Sequence, residues 1–164
     1  MNQQCENSKK EIDNPEFGLS IIAVSSNKTP FRSWTEFQTN LAPISEWYTH
    51  FKNQGTVGII TGKVSGNLEI IDIDVKNDPY RSIMDEYKAL IPQNLYNRLI
   101  IQTTPNKGYH YIYRCPYVTI EKNQKLALHS DQAVIIETRG EGGYFCTSKP
   151  NNKVLQGNLD LLNL

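Results

Sequence analysis

The chain has 164 residues, in which 17 Lys and Arg balance 17 Asp and Glu, and 38% of residues are hydrophobic and 10% aromatic. That length suits one domain around one core, and the composition excludes a disordered chain. The zero net charge excludes a grip on nucleic acid or anionic membrane by bulk charge alone, leaving local basic surfaces open.

Residues 1–16 are polar and read as a loose tail ahead of one domain over 17–164. Phe17 to Val24 is rich in β-branched residues and predicts a strand, followed by a turn at Asn27-Lys28-Thr29-Pro30. Ser33-Trp34-Thr35-Glu36 has the form of a capping box and predicts a short helix. A second helix is expected after Pro43, carrying Trp47, Tyr48 and Phe51 toward the core. Strands are expected at Thr56–Thr61 and Leu68–Val75, joined by a glycine-rich, hairpin-like turn over residues 62–67. Pro79 to Leu90 reads as an amphipathic helix capped by Asn77 or Asp78. Further strands are expected at Arg98–Thr103, Gly108–Cys115, Ala133–Thr138 and Gly143–Thr147, with each late pair able to form a hairpin. The closing leucines, up to Leu164, suit an end that docks on the core or a fragment of a longer replication protein. The expected class is α/β, in the sense of α+β with mixed, mostly antiparallel sheets.

No apolar run approaches the roughly 18 residues that span a bilayer. The N-terminal stretch lacks the apolar segment of a signal peptide, so a cytoplasmic protein without a membrane partner is expected. Cys5, Cys115 and Cys146 have no paired spacing, which argues against structural zinc and against a disulfide framework. Cys115 and Cys146 lie in apolar stretches and read as small buried hydrophobes.

Asp72-Ile73-Asp74 is the most informative segment. Alternate residues of a strand face one side, so both carboxylates point one way while Ile71, Ile73 and Val75 face a buried side. Two like charges on a largely apolar strand repel and lose hydration. A divalent cation relieves both costs, and oxygen ligands favour Mg²⁺ or Mn²⁺. The plainer alternative is a strand end with two acids in solvent. Glu137 and Arg139 share a face of a second apolar strand. A third carboxylate allows two cations to be bridged for in-line phosphoryl transfer, and a guanidinium beside it offers a forked donor to phosphate. An exposed Glu–Arg pair on an edge strand is the competing reading.

His110 follows the turn Thr104-Pro105-Asn106-Lys107-Gly108 and faces away from Tyr109, Tyr111 and Tyr113. Lone strand histidines are often structural, but Lys107 and Gly108 suit an anion. The tyrosines read as core packing rather than base-stacking platforms. From Arg98 to Lys125 the positives Arg98, Lys107, Arg114, Lys122 and Lys125 stand against Glu121 alone, 5 − 1 = +4, which suits backbone contacts to nucleic acid or a plain solvated face.

The order of these motifs resembles the primase–polymerase (prim-pol) domain of the archaeo-eukaryotic primase superfamily, often the N-terminal part of plasmid, phage and mobile-element replication proteins. The resemblance rests on Lys28-Thr-Pro30 with Trp34, Val57 to Gly62, Ser65-Gly66, Asp72-Ile-Asp74, Thr103 to His110, Glu137-x-Arg139-Gly140 and Gly142-Gly143-Tyr144, over residues 18 to 150. It implies a two-lobed catalytic core with an RNA-recognition-motif-like sheet, joining metal, nucleoside triphosphate and DNA template with primer, and a helicase as a further partner. By position Asp72, Asp74 and Glu137 look like the metal-binding acids, and His110 like the histidine on the incoming nucleotide's phosphates. Lys107, Arg139 and Thr104 are weaker candidates for nucleotide contacts, and Lys28, Arg98 and Arg114 for nucleic acid. Two departures stand out: many relatives carry Ser where this chain has Gly108, and Asp where it has Glu137. The expected activity is nucleotidyl transfer by a DNA primase/polymerase. The alternative is a catalytically degenerate nucleic-acid-binding replication module, and a two-metal nuclease ranks third because the ordered glycine and lysine motifs suit polymerisation better. The zinc-binding insertion of some primases is absent, since residues 75–109 hold no Cys or His.

Overall fold

The structure is a computed structural model that describes residues 18–43, 45–46, 56–75, 82–115, 120–147 and 153–157. Among the described residues nine strands run β1 Ser20–Val24, β2 Thr56–Ile60, β3 Leu68–Ile73, β4 Ile100–Thr103, β5 Tyr109–Arg114, β6 Gln124–Leu128, β7 Val134–Arg139, β8 Tyr144–Thr147 and β9 Val154–Gln156. Two helices, α1 Ser82–Leu90 and α2 Gln93–Tyr96, lie between β3 and β4. The strands form a small sheet, β1-β2-β8, and a large one, β6-β7-β3-β5-β4-β9. Every paired neighbour is antiparallel. Since β3 and β4 are both antiparallel to the strand between them, they run parallel to each other, and α1 and α2 make the crossover that such a pair requires. The four central strands lie in the order β7-β3-β5-β4, which is fourth, first, third, second in the chain, as expected of an RNA-recognition-motif-like sheet.

Strand periodicity sets the layers. On one face of the large sheet Ile73, Val75, Ile101 and Tyr111 pack with Ile83, Met84 and Tyr87 of α1 and Tyr96 of α2. Tyr111 is fully buried, stacked on Tyr87 and edge-on to Tyr96, so the tyrosines there are core residues. On the other face Leu68, Ile70, Ile100 and Ile112 meet Ile59 of β2 and Phe145 of β8. Burying an isoleucine of this kind contributes about 1.5–3 kcal/mol, so this interface holds the two sheets together. The outer face of the small sheet packs Ile22, Val24 and Ile60 against Phe37 and Trp34.

Several expectations need correction. Strands 56–60 and 68–73 do not form a hairpin, because β2 belongs to the small sheet and β3 to the large one. Residues 63–65 between them form a 3₁₀ turn. The pair 133–138 and 143–147 divides the same way, whereas β4 and β5 are a hairpin as expected. The Ser33 capping box does not form: a 3₁₀ turn spans Thr35–Gln38, with Trp34 at its N-cap and no side-chain cap bond. Cys115 and Cys146 are half-buried rather than buried. Strands β6 and β9 and helix α2 carry too little apolar pattern to be read from the chain. The tail over 1–16, the expected helix core at Trp47, Tyr48 and Phe51, the caps Asn77 and Asp78, and the closing leucines from Leu159 on lie outside the described residues, while Leu155 sits exposed in β9. Among the described residues no helix is long and apolar enough to cross a membrane.

Candidate active site

The site begins with register. Asp72 on β3 is directly opposite His110 on β5 and directly opposite Glu137 on β7. Next along, His110 is opposite Gln102 on β4. Directly opposed residues share a face, with Cβ atoms about 4.5–5.5 Å apart, so Glu137, Asp72, His110 and Gln102 form one row across four strands. The face is the one whose far end carries Leu68, Ile70 and Ile112 against the small sheet. The apolar core therefore ends where the polar row starts. Arg139 lies two residues along β7 from Glu137, and Asp74, one residue past the end of β3, continues its alternation on the face of Asp72.

A cleft of about 420 Å³ opens over the Asp72–His110 part of this row, lined also by Arg139, Lys28, Tyr144 and Cys146 among others, with Glu137 and Gln102 outside its lining. Its walls are built by local backbone demands. Gly140 passes so close to the 120 segment that a Cβ would sit 2.2 Å from the Ile120 carbonyl oxygen. Ile120 is itself anchored where its N–H donates to the buried Glu69 carboxylate at 2.5 Å. The Thr61 hydroxyl donates to the Gly140 carbonyl at 2.5 Å, and the Gln38 amide to the Gly142 carbonyl at 2.8 Å. Lys28 holds a left-handed turn (φ 63°), and its carbonyl accepts from the Tyr144 hydroxyl at 2.8 Å. The ring of Tyr144 meets Trp34 edge-on.

Charge within the row is unusual. Burial raises the Asp72 carboxyl from 3.8 to about 6; Arg139 and Lys28 oppose the rise, while Glu137 and Asp74 add to it. The carboxylate is thus short of positive charge even with a guanidinium nearby. His110 is 5% exposed. Burial, helped by the positive charges of Lys28 and Arg139, pushes its imidazole from 6.5 down to about 3, so it is neutral at pH 7. Its Nε2 stands 3.6 Å from Asp72 Oδ1, its Nδ1 is 2.8 Å from the Gln102 amide nitrogen, and its ring meets Phe145 edge-on. Glu137 is ion-paired with Arg139.

The donor set suits a hard divalent cation: oxygen donors on adjacent strands, one of them held against its charge by burial and by neighbouring acids. Among the described residues no three His, Cys, Asp or Glu side chains already stand around one metal position. Glu137 would have to exchange Arg139 for the metal to join Asp72.

Sequence reasoning put Asp72 with Asp74 on one strand face and Glu137 with Arg139 on another, and the register places Asp72 between Glu137 and His110. Lys28 reaches the same cleft. Thr104 and Lys107 sit in the β4–β5 turn just beyond His110, where the Thr104 hydroxyl accepts from the Gly108 N–H at 3.0 Å. Glycine is required at 108: a Cβ would lie 2.3 Å from the Ile73 carbonyl oxygen. Arg98 follows α2, and Arg114 ends β5 four residues from His110, so both lie toward the opposite end of the β4–β5 hairpin from Lys107. Arg98 and Arg114 therefore lie away from the row, whereas Lys125 on β6 is directly opposite Glu137 and extends it. Sequence reasoning missed Gln102, Gln38 and Asn123, the last two of which line the cleft. The available signal for Gln102 was an amide following three apolar residues in Leu99-Ile100-Ile101-Gln102.

The family model described as Prim-Pol, bifunctional DNA primase/polymerase, N-terminal, matches residues 14–153. Among curated proteins none matches the chain.

Proposed function

The chain belongs to the bifunctional DNA primase/polymerase N-terminal family, and from that premise we propose that its cleft carries out template-directed nucleotidyl transfer on DNA, adding nucleoside triphosphates to a primer or starting one. The observation that carries the reading is the row Glu137–Asp72–His110 across three adjacent strands, with Arg139 and Lys28 over it. Asp72 and the phosphate donors His110, Arg139 and Lys28 line one small cleft, and Glu137 is the residue directly opposite Asp72 on the next strand. Asp72, Asp74 and Glu137 would hold Mg²⁺ or Mn²⁺, two ions supplying a lowered pKa for the attacking 3′-hydroxyl and charge neutralisation on the leaving pyrophosphate.

The protein's own groups do the positioning. His110, neutral and buried, offers an N–H to a phosphate oxygen without competing as a cation for the acids. Arg139 offers a forked donor to the same anion once Glu137 is drawn from it. Lys28, on the turn after β1, adds a point charge at the cleft. Holding the triphosphate in line in a site walled by two sheets supplies orientation and electrostatic stabilisation, the largest contributions in transfers of this type. The biological setting proposed is replication of a plasmid, phage or mobile element, with a helicase domain or protein alongside.

Extension of a primed template and de novo primer synthesis with Mn²⁺ test this reading. Asp72→Asn with Asp74→Asn should abolish incorporation, and incorporation unchanged in the double variant would remove the mechanism. A second reading, a nucleic-acid-binding module without catalysis, is favoured by the Glu137–Arg139 pair. DNA binding by the wild-type protein with no incorporation at all would select it.

A further inference from the structure

Gln102 is 1% exposed, in a strand whose neighbours Ile100 and Ile101 are core residues. A buried primary amide is costly unless its polar atoms are matched, and an aliphatic residue would serve packing better. Its matching is specific. The Thr147 hydroxyl, on β8 of the small sheet, donates to Gln102 Oε1 at 3.2 Å. The amide nitrogen lies on the His110 side, 2.8 Å from Nδ1, and since an amide nitrogen can only donate, Nδ1 is the acceptor. With Nδ1 accepting, the single proton of a neutral imidazole must be on Nε2, the nitrogen that faces Asp72 and the cleft. Phe145 against the ring closes off rotation.

We infer that Gln102, oriented by Thr147, is a positioning residue that fixes His110 as an Nε2–H donor aimed into the cleft, at the phosphate oxygens of a bound nucleoside triphosphate. The chain Thr147–Gln102–His110 begins in one sheet and ends in the other, so the donor direction depends on the two sheets being docked. The inference rests on the nucleotide reading of the cleft for its ligand, while the tautomer itself does not.

The test uses the full chain labelled with ¹⁵N-histidine, at one pH near 7.5. Long-range ¹⁵N–¹H spectra identify His110 by the signals lost in His110→Asn. The wild-type protein should show the Nε2-protonated pattern, and a proton on Nδ1 or a mixture of tautomers would overturn the relay. Gln102→Glu presents a carboxylate, an acceptor only, and should move the proton to Nδ1. Binding of a non-hydrolysable deoxyadenosine triphosphate analogue with Mg²⁺ should then weaken about ten- to a hundredfold, the loss of one hydrogen bond to a charged oxygen. Gln102→Met, which keeps length and loses the amide, should show mixed tautomers in a protein with an unchanged far-ultraviolet spectrum. A proton moved to Nδ1 with unchanged analogue affinity would also overturn the inference. Wild-type protein with the Nε2 pattern that binds no analogue would overturn the nucleotide reading and support the relay.

Discussion

In Asp72→Asn the carboxylate at the centre of the Glu137–Asp72–His110 row becomes a neutral amide of nearly the same shape. The side chain is 26% exposed, and its pKa is raised by burial from 3.8 to about 6. At 1.36 kcal/mol per pH unit, holding it ionised costs the fold about 3 kcal/mol. The sign follows from linkage: the folded state keeps this proton to higher pH than the unfolded state, so the cost is absent below about pH 4 and complete above about pH 6. The neutral amide escapes the cost but needs hydrogen-bond partners, so the net gain at pH 8 should be about 1–3 kcal/mol. For a chain of this size that corresponds to a Tm higher by roughly 3–10 °C. Melting curves of both proteins without metal, from pH 8 to pH 4, should show the difference shrinking as pH falls. His110, pushed down to about 3, destabilises both proteins in acid because the unfolded state takes up its proton below about 6.5, and this cancels in the comparison. Adding Mg²⁺ at pH 8 should raise the Tm of the wild-type protein and leave the variant where it was. A variant that melts at or below the wild-type temperature at pH 8, or a difference constant with pH, would refute the view that Asp72 is held against its charge.

Gly108→Ser places a Cβ 2.3 Å from the Ile73 carbonyl oxygen; urea unfolding should show a loss of about 1–3 kcal/mol, with no gain in triphosphate affinity from the added hydroxyl. Thr61→Val removes the donor to the Gly140 carbonyl in a fully buried position, and the same assay should read about 1–3 kcal/mol for the orphaned carbonyl. Because that bond holds the loop bearing Gly142 and Gly143, the analogue's Kd should rise as well.

Much of the candidate site was legible because its signals are local. Asp72 and Asp74 sit opposite in direction to Ile71, Ile73 and Val75 in any strand, and the same holds for His110 against Tyr109 and Tyr111. Glu137 with Arg139 follows from the same period. Gln102 and Thr147 were not legible, since an amide and a hydroxyl in separate strands acquire meaning only when two sheets bring them within 3.2 Å. Arg98 and Arg114 fit a basic stretch by counting charge, yet they end up toward the far end of the hairpin from Lys107, because charge along a chain has no direction until the strand ends are placed.

Side-chain alternation, turn chemistry and the sequence of motifs are properties of neighbouring residues, and they determined which groups share a face and which family the chain would resemble. Strand order is a property of distant ones. Two expected hairpins, 56–61 with 68–75 and 133–138 with 143–147, give way to two sheets, in which Ile59 and Phe145 cover Leu68 and Ile70 and take their apolar surface out of water. That division sets β3 between β5 and β7, and so decides that Asp72 has a histidine on one side and a glutamate on the other.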